Sequence, residues 1–165
     1  MRLDLREIIE VPGGSLPFAC ELDTGRLSFP SVRSYRSKPF AQGRVHNEAG
    51  ILRLEGTLTA EMRCVCDRCG TEFDSVKELS LDAVIVEEES REHPELFTLE
   101  GNTVDLDDIL ETSLILDMET KFLCREDCKG LCDTCGANLN LGPCGCRKKT
   151  DPRFAVLEQL LDKEE

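Results

Sequence analysis

From Leu52 to Cys64 the chain alternates without a slip: Leu52, Leu54, Gly56, Leu58, Ala60, Met62 and Cys64 share one parity, and Arg53, Glu55, Thr57, Thr59, Glu61 and Arg63 the other. Successive side chains of a strand point to opposite faces, whereas a helix would scatter this pattern around its axis, so the run is predicted to be a long, half-buried strand. Asn47-Glu48-Ala49-Gly50 just before it is turn chemistry, and Phe40–Val45 is therefore expected to pair with it as a hairpin. After a reversal at Cys66–Gly70, Phe73, Leu79, Leu81, Ala83 and Ile85 again share a parity and read as a returning strand. The expected class is mainly β or α+β, an antiparallel meander or barrel-like sheet with one or two packed helices.

Leu106, Ile109, Leu110, Leu114 and Met118 follow helical spacing behind Asp105, which can cap the first turn, so a helix is expected over about 105–117. Near the end, Asp151 as N-cap, Pro152 at the first helical position and the stripe Phe154, Leu157, Leu160 and Leu161 predict a second helix. Leu3, Leu5, Ile8, Ile9 and Val11 mix periods and read as a short strand or edge segment that Pro12-Gly13-Gly14 ends. With 40% hydrophobic residues, enough for a real core, the chain divides into a β-rich domain, 1–123, and a Cys-rich, zinc-ribbon-like knuckle with the C-terminal helix, 124–165.

Six of the ten cysteines fall between Cys124 and Cys146. The opening MRLDLREIIE has no uninterrupted apolar core of a signal peptide, and no later run approaches the roughly 18 apolar residues of a membrane span. A cytoplasmic protein without membrane contact is expected. In a reducing compartment ten cysteines point to metal before disulfides. Cys132-x2-Cys135 and Cys144-x-Cys146, separated by a Gly- and Asn-rich reversal, supply two thiolate turns for one structural zinc, with iron as the chemical alternative. Cys124 and Cys128 either compete for that ion, as in a set of Cys128, Cys132, Cys135 and Cys146, or join Cys66 and Cys69 in a second site that would clamp the tail to the sheet. A dithiol exchanger is the redox alternative, but neither C-x2-C opens a helix in a βαβ pattern. Cys20 and Cys64 read as small buried hydrophobes, and His46 and His93 as surface histidines. No phosphate-cradling loop or nucleophile motif is present in the sequence; neither an enzyme nor a small-molecule substrate is expected.

The net charge of −13 is concentrated in the middle of the chain, where residues 64 to 123 carry seventeen Asp and Glu against four Lys and Arg. Binding to a polyanion depends on cations that displace its counterions, which leaves one plausible phosphate-facing stretch. Thr24 to Asn47 has no acidic residue and carries Arg26, Arg33, Arg36, Lys38 and Arg44; Arg147, Lys148 and Lys149 form a second basic cluster. Residues 82 to 119, with thirteen acidic residues and one base, read either as a solvated face or as a docking surface for a basic partner.

Cys66-Asp67-Arg68-Cys69 after a long strand, the leucine-rich helix after Val104-Asp105-Leu106, the run Gly130 to Asn140 and the closing Asp151 to Leu157 together resemble the YceD-like family, its cysteine-rich branch, over roughly residues 40 to 161. The resemblance implies a factor for accumulation of large-subunit ribosomal RNA with no established enzymatic activity, and it makes the zinc a staple rather than the seat of function. The expected partners are then large-subunit ribosomal RNA or a basic ribosomal protein within a pre-50S particle. A zinc-ribbon module in transcription, or a CxxC thiol redox protein, is the competing reading.

Overall fold

The structure, a computed structural model, describes residues 1–86 and 96–146. The element order is β1 (Arg2–Asp4), α1 (Arg6–Ile9), β2 (Ser15–Glu21), β3 (Val32–Tyr35), β4 (Phe40–Glu48), β5 (Ile51–Val65), β6 (Glu72–Val86), β7 (Phe97–Thr98), β8 (Thr103–Asp105) and α2 (Leu106–Asp117). The predicted C-terminal helix with Phe154, Leu157, Leu160 and Leu161 lies outside the described residues, as do Glu87-Glu88-Glu89 and His93.

Contacts divide the chain into two compact units, Met1–Asp67 with Thr71–Cys124, and Arg68–Gly70 with the residues from Arg125 on. The first is built on β5. Its alternation places Leu54, Leu58, Ala60, Met62 and Cys64 at complete burial on one face. On its two sides it pairs antiparallel with β4, from Phe40↔Thr59 to Glu48↔Ile51, and with β6, from Leu52↔Ile85 to Val65↔Glu72. β3 continues along the same side of β5 as β4, with Tyr35 opposite Met62, so Val32–Glu48 is one interrupted arm facing β5.

The sheet is open, in the order β2-β4-β5-β6-β7, and the barrel alternative does not materialise. All its pairs are antiparallel except the short β6–β7 contact. A second, two-stranded sheet joins β1 to β8. Glycine at two facing positions permits the closest backbone approach: Gly43 pairs with Gly56, and a Cβ on Gly43 would stand 2.1 Å from the Glu55 carbonyl oxygen.

The inner face of the sheet is covered by α2, whose Leu106, Ile109, Leu110 and Leu114 are all buried. Asp105 caps it as predicted, its carboxylate accepting from the Asp107 amide at 3.0 Å. The N-terminal segment departs from expectation. Instead of one strand over 3–11, β1 ends at Asp4 and a short helix follows, because Leu5, Ile8 and Ile9 stand at i, i+3 and i+4 and the carboxylate of Asp4 receives the Arg6 amide. Leu5 and Ile8 are the residues this turn drives into the core.

Candidate metal centres

Two short segments share the pattern Cys-Asp-x-Cys-Gly and the same backbone geometry. In Cys66-Asp67-Arg68-Cys69-Gly70, at the turn between β5 and β6, the Cys66 amide donates to the Thr71 carbonyl at 2.9 Å and Gly70 takes φ +68°. In Cys132-Asp133-Thr134-Cys135-Gly136, the Cys132 amide donates to the Ala137 carbonyl at 2.8 Å and Gly136 takes φ +71°. The left-handed glycine turns the chain back after the second cysteine, which suits a knuckle that presents two sulfurs to one point. Sequence reading treated the two segments separately and missed this echo, although CDRCG and CDTCG carried the signal.

The remaining ligands are brought in by local contacts. Asp67 accepts the Phe122 amide at 2.6 Å and its own amide donates to the Phe122 carbonyl at 2.8 Å, which draws the segment ending at Cys124 toward Cys66. The Arg68 guanidinium donates to the Cys128 carbonyl at 3.0 Å, and Gly130 lies where a Cβ would come 3.1 Å from the Arg68 carbonyl oxygen. Asn140 is a further contributor that sequence reasoning did not single out. Its Nδ2 donates to Cys128 Sγ at 3.3 Å, while its Oδ1 accepts the Lys129 amide at 2.8 Å.

The ligand atoms of Cys66, Cys69, Cys124 and Cys128 all lie within 4.8 Å of one another, and so do those of Cys132, Cys135, Cys144 and Cys146. A tetrahedral zinc with sulfurs at about 2.3 Å requires S···S separations near 3.8 Å, so both quartets fit such an ion with small adjustments. Cys128 belongs to the first group and not to a mixed set with Cys132, Cys135 and Cys146. None of the cysteines forms a disulfide.

The two quartets differ in environment. Cys66, Cys69 and Cys128 are buried, whereas Cys135 is exposed and Cys144 and Cys146 are half-buried. In the second quartet, backbone amides of Cys135 and Thr134 pull the Cys132 thiol down to about 7, with the Thr134 amide 3.4 Å from its sulfur. A side-chain hydrogen bond with Cys135 pushes the Cys146 thiol up to about 12. Crowded thiols of this kind oppose one another's ionisation, and a dication relieves the opposition by holding its ligands as thiolates. Cys20 and Cys64 are buried in the core of the sheet, where loss of solvation raises both thiols above their ordinary range.

Four of the eight basic residues expected to face phosphate lie beside carboxylates. Arg26 lies 2.9 Å from Glu111, Arg36 2.8 Å from Asp74, Arg44 3.2 Å from Glu55 and Lys38 4.0 Å from Glu21. Arg33 is exposed on β3 without an acidic partner among the described residues, and Arg147, Lys148 and Lys149 lie outside them. His46 is less exposed than a surface histidine. It sits half-buried within β4, its Nδ1 enclosed without a hydrogen bond. Among the described residues no helix is long and apolar enough to cross a membrane.

A family model described as "Large ribosomal RNA subunit accumulation protein YceD" matches residues 54–161. An uncharacterized protein of Mycobacterium tuberculosis is 27% identical over 126 residues, covering 73% of this chain and 61% of that protein. An uncharacterized protein of Mycobacterium leprae is 27% identical over 128 residues, covering 72% of this chain and 57% of that protein. A chloroplastic protein of Arabidopsis thaliana, named large ribosomal RNA subunit accumulation protein YCED homolog 1, is 25% identical over 150 residues, covering 68% of this chain and 46% of that protein. The chain thus matches less than two thirds of the length of these relatives. No solved structure matches it significantly.

Proposed function

Because this chain belongs to the YceD family of large ribosomal RNA subunit accumulation proteins, we propose that it is a non-catalytic factor supporting that accumulation, acting on a pre-50S particle in the cytoplasm. The observation that carries the reading is the family match itself, which covers β6, α2 and the cysteine-rich segment. The two thiol quartets serve as structural zinc sites: all-thiolate tetrahedra close the coordination sphere and leave no open position for a reacting water.

Of the two modes of contact, docking on a basic ribosomal protein is the better supported. The chain carries −13, and Arg26, Arg36, Lys38 and Arg44 would each have to give up a carboxylate to meet a phosphate. Exposed ion pairs are weak, so that exchange costs little per residue, but the surrounding carboxylates would still oppose a polyanion. Depletion of the gene followed by profiling of large-subunit RNA and precursor particles tests the role. Loss of mature large-subunit RNA with accumulated precursors is expected; unchanged RNA and particle profiles would remove the proposal.

A further inference from the structure

Among the described residues, the longest stretch of strand paired on one side alone is β6, along its outer edge. On its inner side β6 pairs with β5 in continuous register from Leu52↔Ile85 to Val65↔Glu72, but on its outer side β7 meets only Ile85 and Val86. Among the described residues, no further backbone hydrogen bond reaches Glu72–Val84 from any other segment. An edge of this length extends about 40 Å.

Proteins ordinarily blunt such edges with proline, bulges, short strands or outward lysines. The opposite edge of the same sheet, β2, is short and is interrupted by Pro17, which has no amide hydrogen to offer. β6 has neither proline nor a register shift; its one inward charge, Lys77, is only 15% exposed and is neutralised by Asp117 at 2.9 Å and Glu119 at 2.8 Å. The solvent-facing row is Glu72, Asp74, Val76, Glu78, Ser80 and Asp82, every one of them exposed; Glu72 and Asp74 share Arg63, and Asp82 lies 3.6 Å from Arg53, in exposed pairs that an incoming cation can replace. Glu78, and Glu61 opposite Val76 on β5, have no cationic partner among the described residues. A second copy of the chain placed on this edge would set one acidic row beside another, which disfavours self-pairing.

We propose that the outer edge of β6, Glu72–Val84, accepts an extended Lys- and Arg-rich segment of a basic ribosomal protein as an added β-strand. Main-chain hydrogen bonds along the edge supply affinity, and the acidic row selects a basic sequence. This locates the docking site for the partner class argued above and rests on that reading for the identity of the partner alone.

The test uses the full, metal-loaded chain and a fluorescent peptide of alternating Lys and Thr long enough to span the edge, with binding followed by anisotropy and amide exchange. Saturable binding is expected, with new amide protection confined to β6. The double substitution Glu78→Lys and Asp82→Lys, on exposed positions and with its melting transition measured beside the parent's, should weaken binding by about tenfold or more. A peptide of the same sequence with alternate amides N-methylated should not bind. Equal binding of the N-methylated peptide, protection elsewhere, no binding at all, or protection of β6 by a large-subunit RNA fragment instead would each overturn the proposal. A depletion phenotype without peptide binding removes the edge site and leaves the ribosomal role; peptide binding without a phenotype does the reverse.

Discussion

Among the described residues Asn47 is the one polar residue buried in the core, and each of its groups has a partner. Its Nδ2 donates to the carbonyls of Ile8 and Ile9, at 2.9 and 2.6 Å, and its Oδ1 accepts the Gly50 amide at 2.8 Å. One side chain thereby closes the end of α1 and shapes the β4–β5 turn. Asn47→Ala removes the side-chain donor from the Ile9 carbonyl and leaves the Ile8 carbonyl with the Val11 amide alone, and it should cost about 1–3 kcal/mol in denaturant unfolding, with the fold retained. A loss below about 0.5 kcal/mol would mean that water replaces the amide. At this scale the sequence was partly legible. Asn47 could be recognised as turn chemistry, but its buried contacts with α1 join residues far apart in the chain. Asp67 and Asn140 were hidden for the same reason, their roles being defined by Phe122 and Cys128 rather than by their neighbours in sequence.

Elements with a single strong period were legible, and those with mixed periods were not. β5, β6 and α2 follow from parity and spacing because one face of each is buried throughout. Residues 3–11 were misread because a strand and a helical turn meet within nine residues, and β2 was overlooked because Pro17 disguises the alternation of Leu16, Phe18 and Cys20. The choice between a closed barrel and an open sheet depends on how edges meet, which local pattern does not encode. β5, β6 and the residue that follows β3 also converge in an exposed charge cluster, with Asp74 3.0 Å from Arg63 and 2.8 Å from Arg36. The hydrogen bond from Arg63, aided by the charge of Arg36, holds the Asp74 carboxyl below its ordinary value of 3.8. A depressed carboxyl stabilises the fold at pH above the unfolded value, and that contribution fades as pH falls through the lower folded value. Asp74→Asn should therefore be less stable than the parent near neutrality, with the difference vanishing in acid. Denaturant titrations across pH 2 to 7 check this, and a difference independent of pH would rule out the ionic contribution.

For the whole molecule, metal is the part that the cysteine count announced and the fold had to sort. Spacing alone could not assign Cys124 and Cys128, because their companions Cys66 and Cys69 stand on the far side of β6 and α2 in the sequence. Elemental analysis of untagged protein should find two ions per chain, and Cys66→Ser and Cys132→Ser should each remove one of them independently. One ion in the parent protein, or loss of both from either substitution, would contradict two separate centres.

The two quartets also differ in when they can come into being. Cys132 to Cys146 leave the ribosome almost together, so their sulfurs can gather as soon as that short stretch is synthesised. Cys66 and Cys69 emerge early and must wait while everything from Gly70 to Leu123 is made, roughly 3–11 s at ordinary rates of elongation. During that interval the nascent chain carries an unfinished pair of thiols at the tip of a long hairpin, open to oxidation or to a wrong partner until Cys124 and Cys128 arrive.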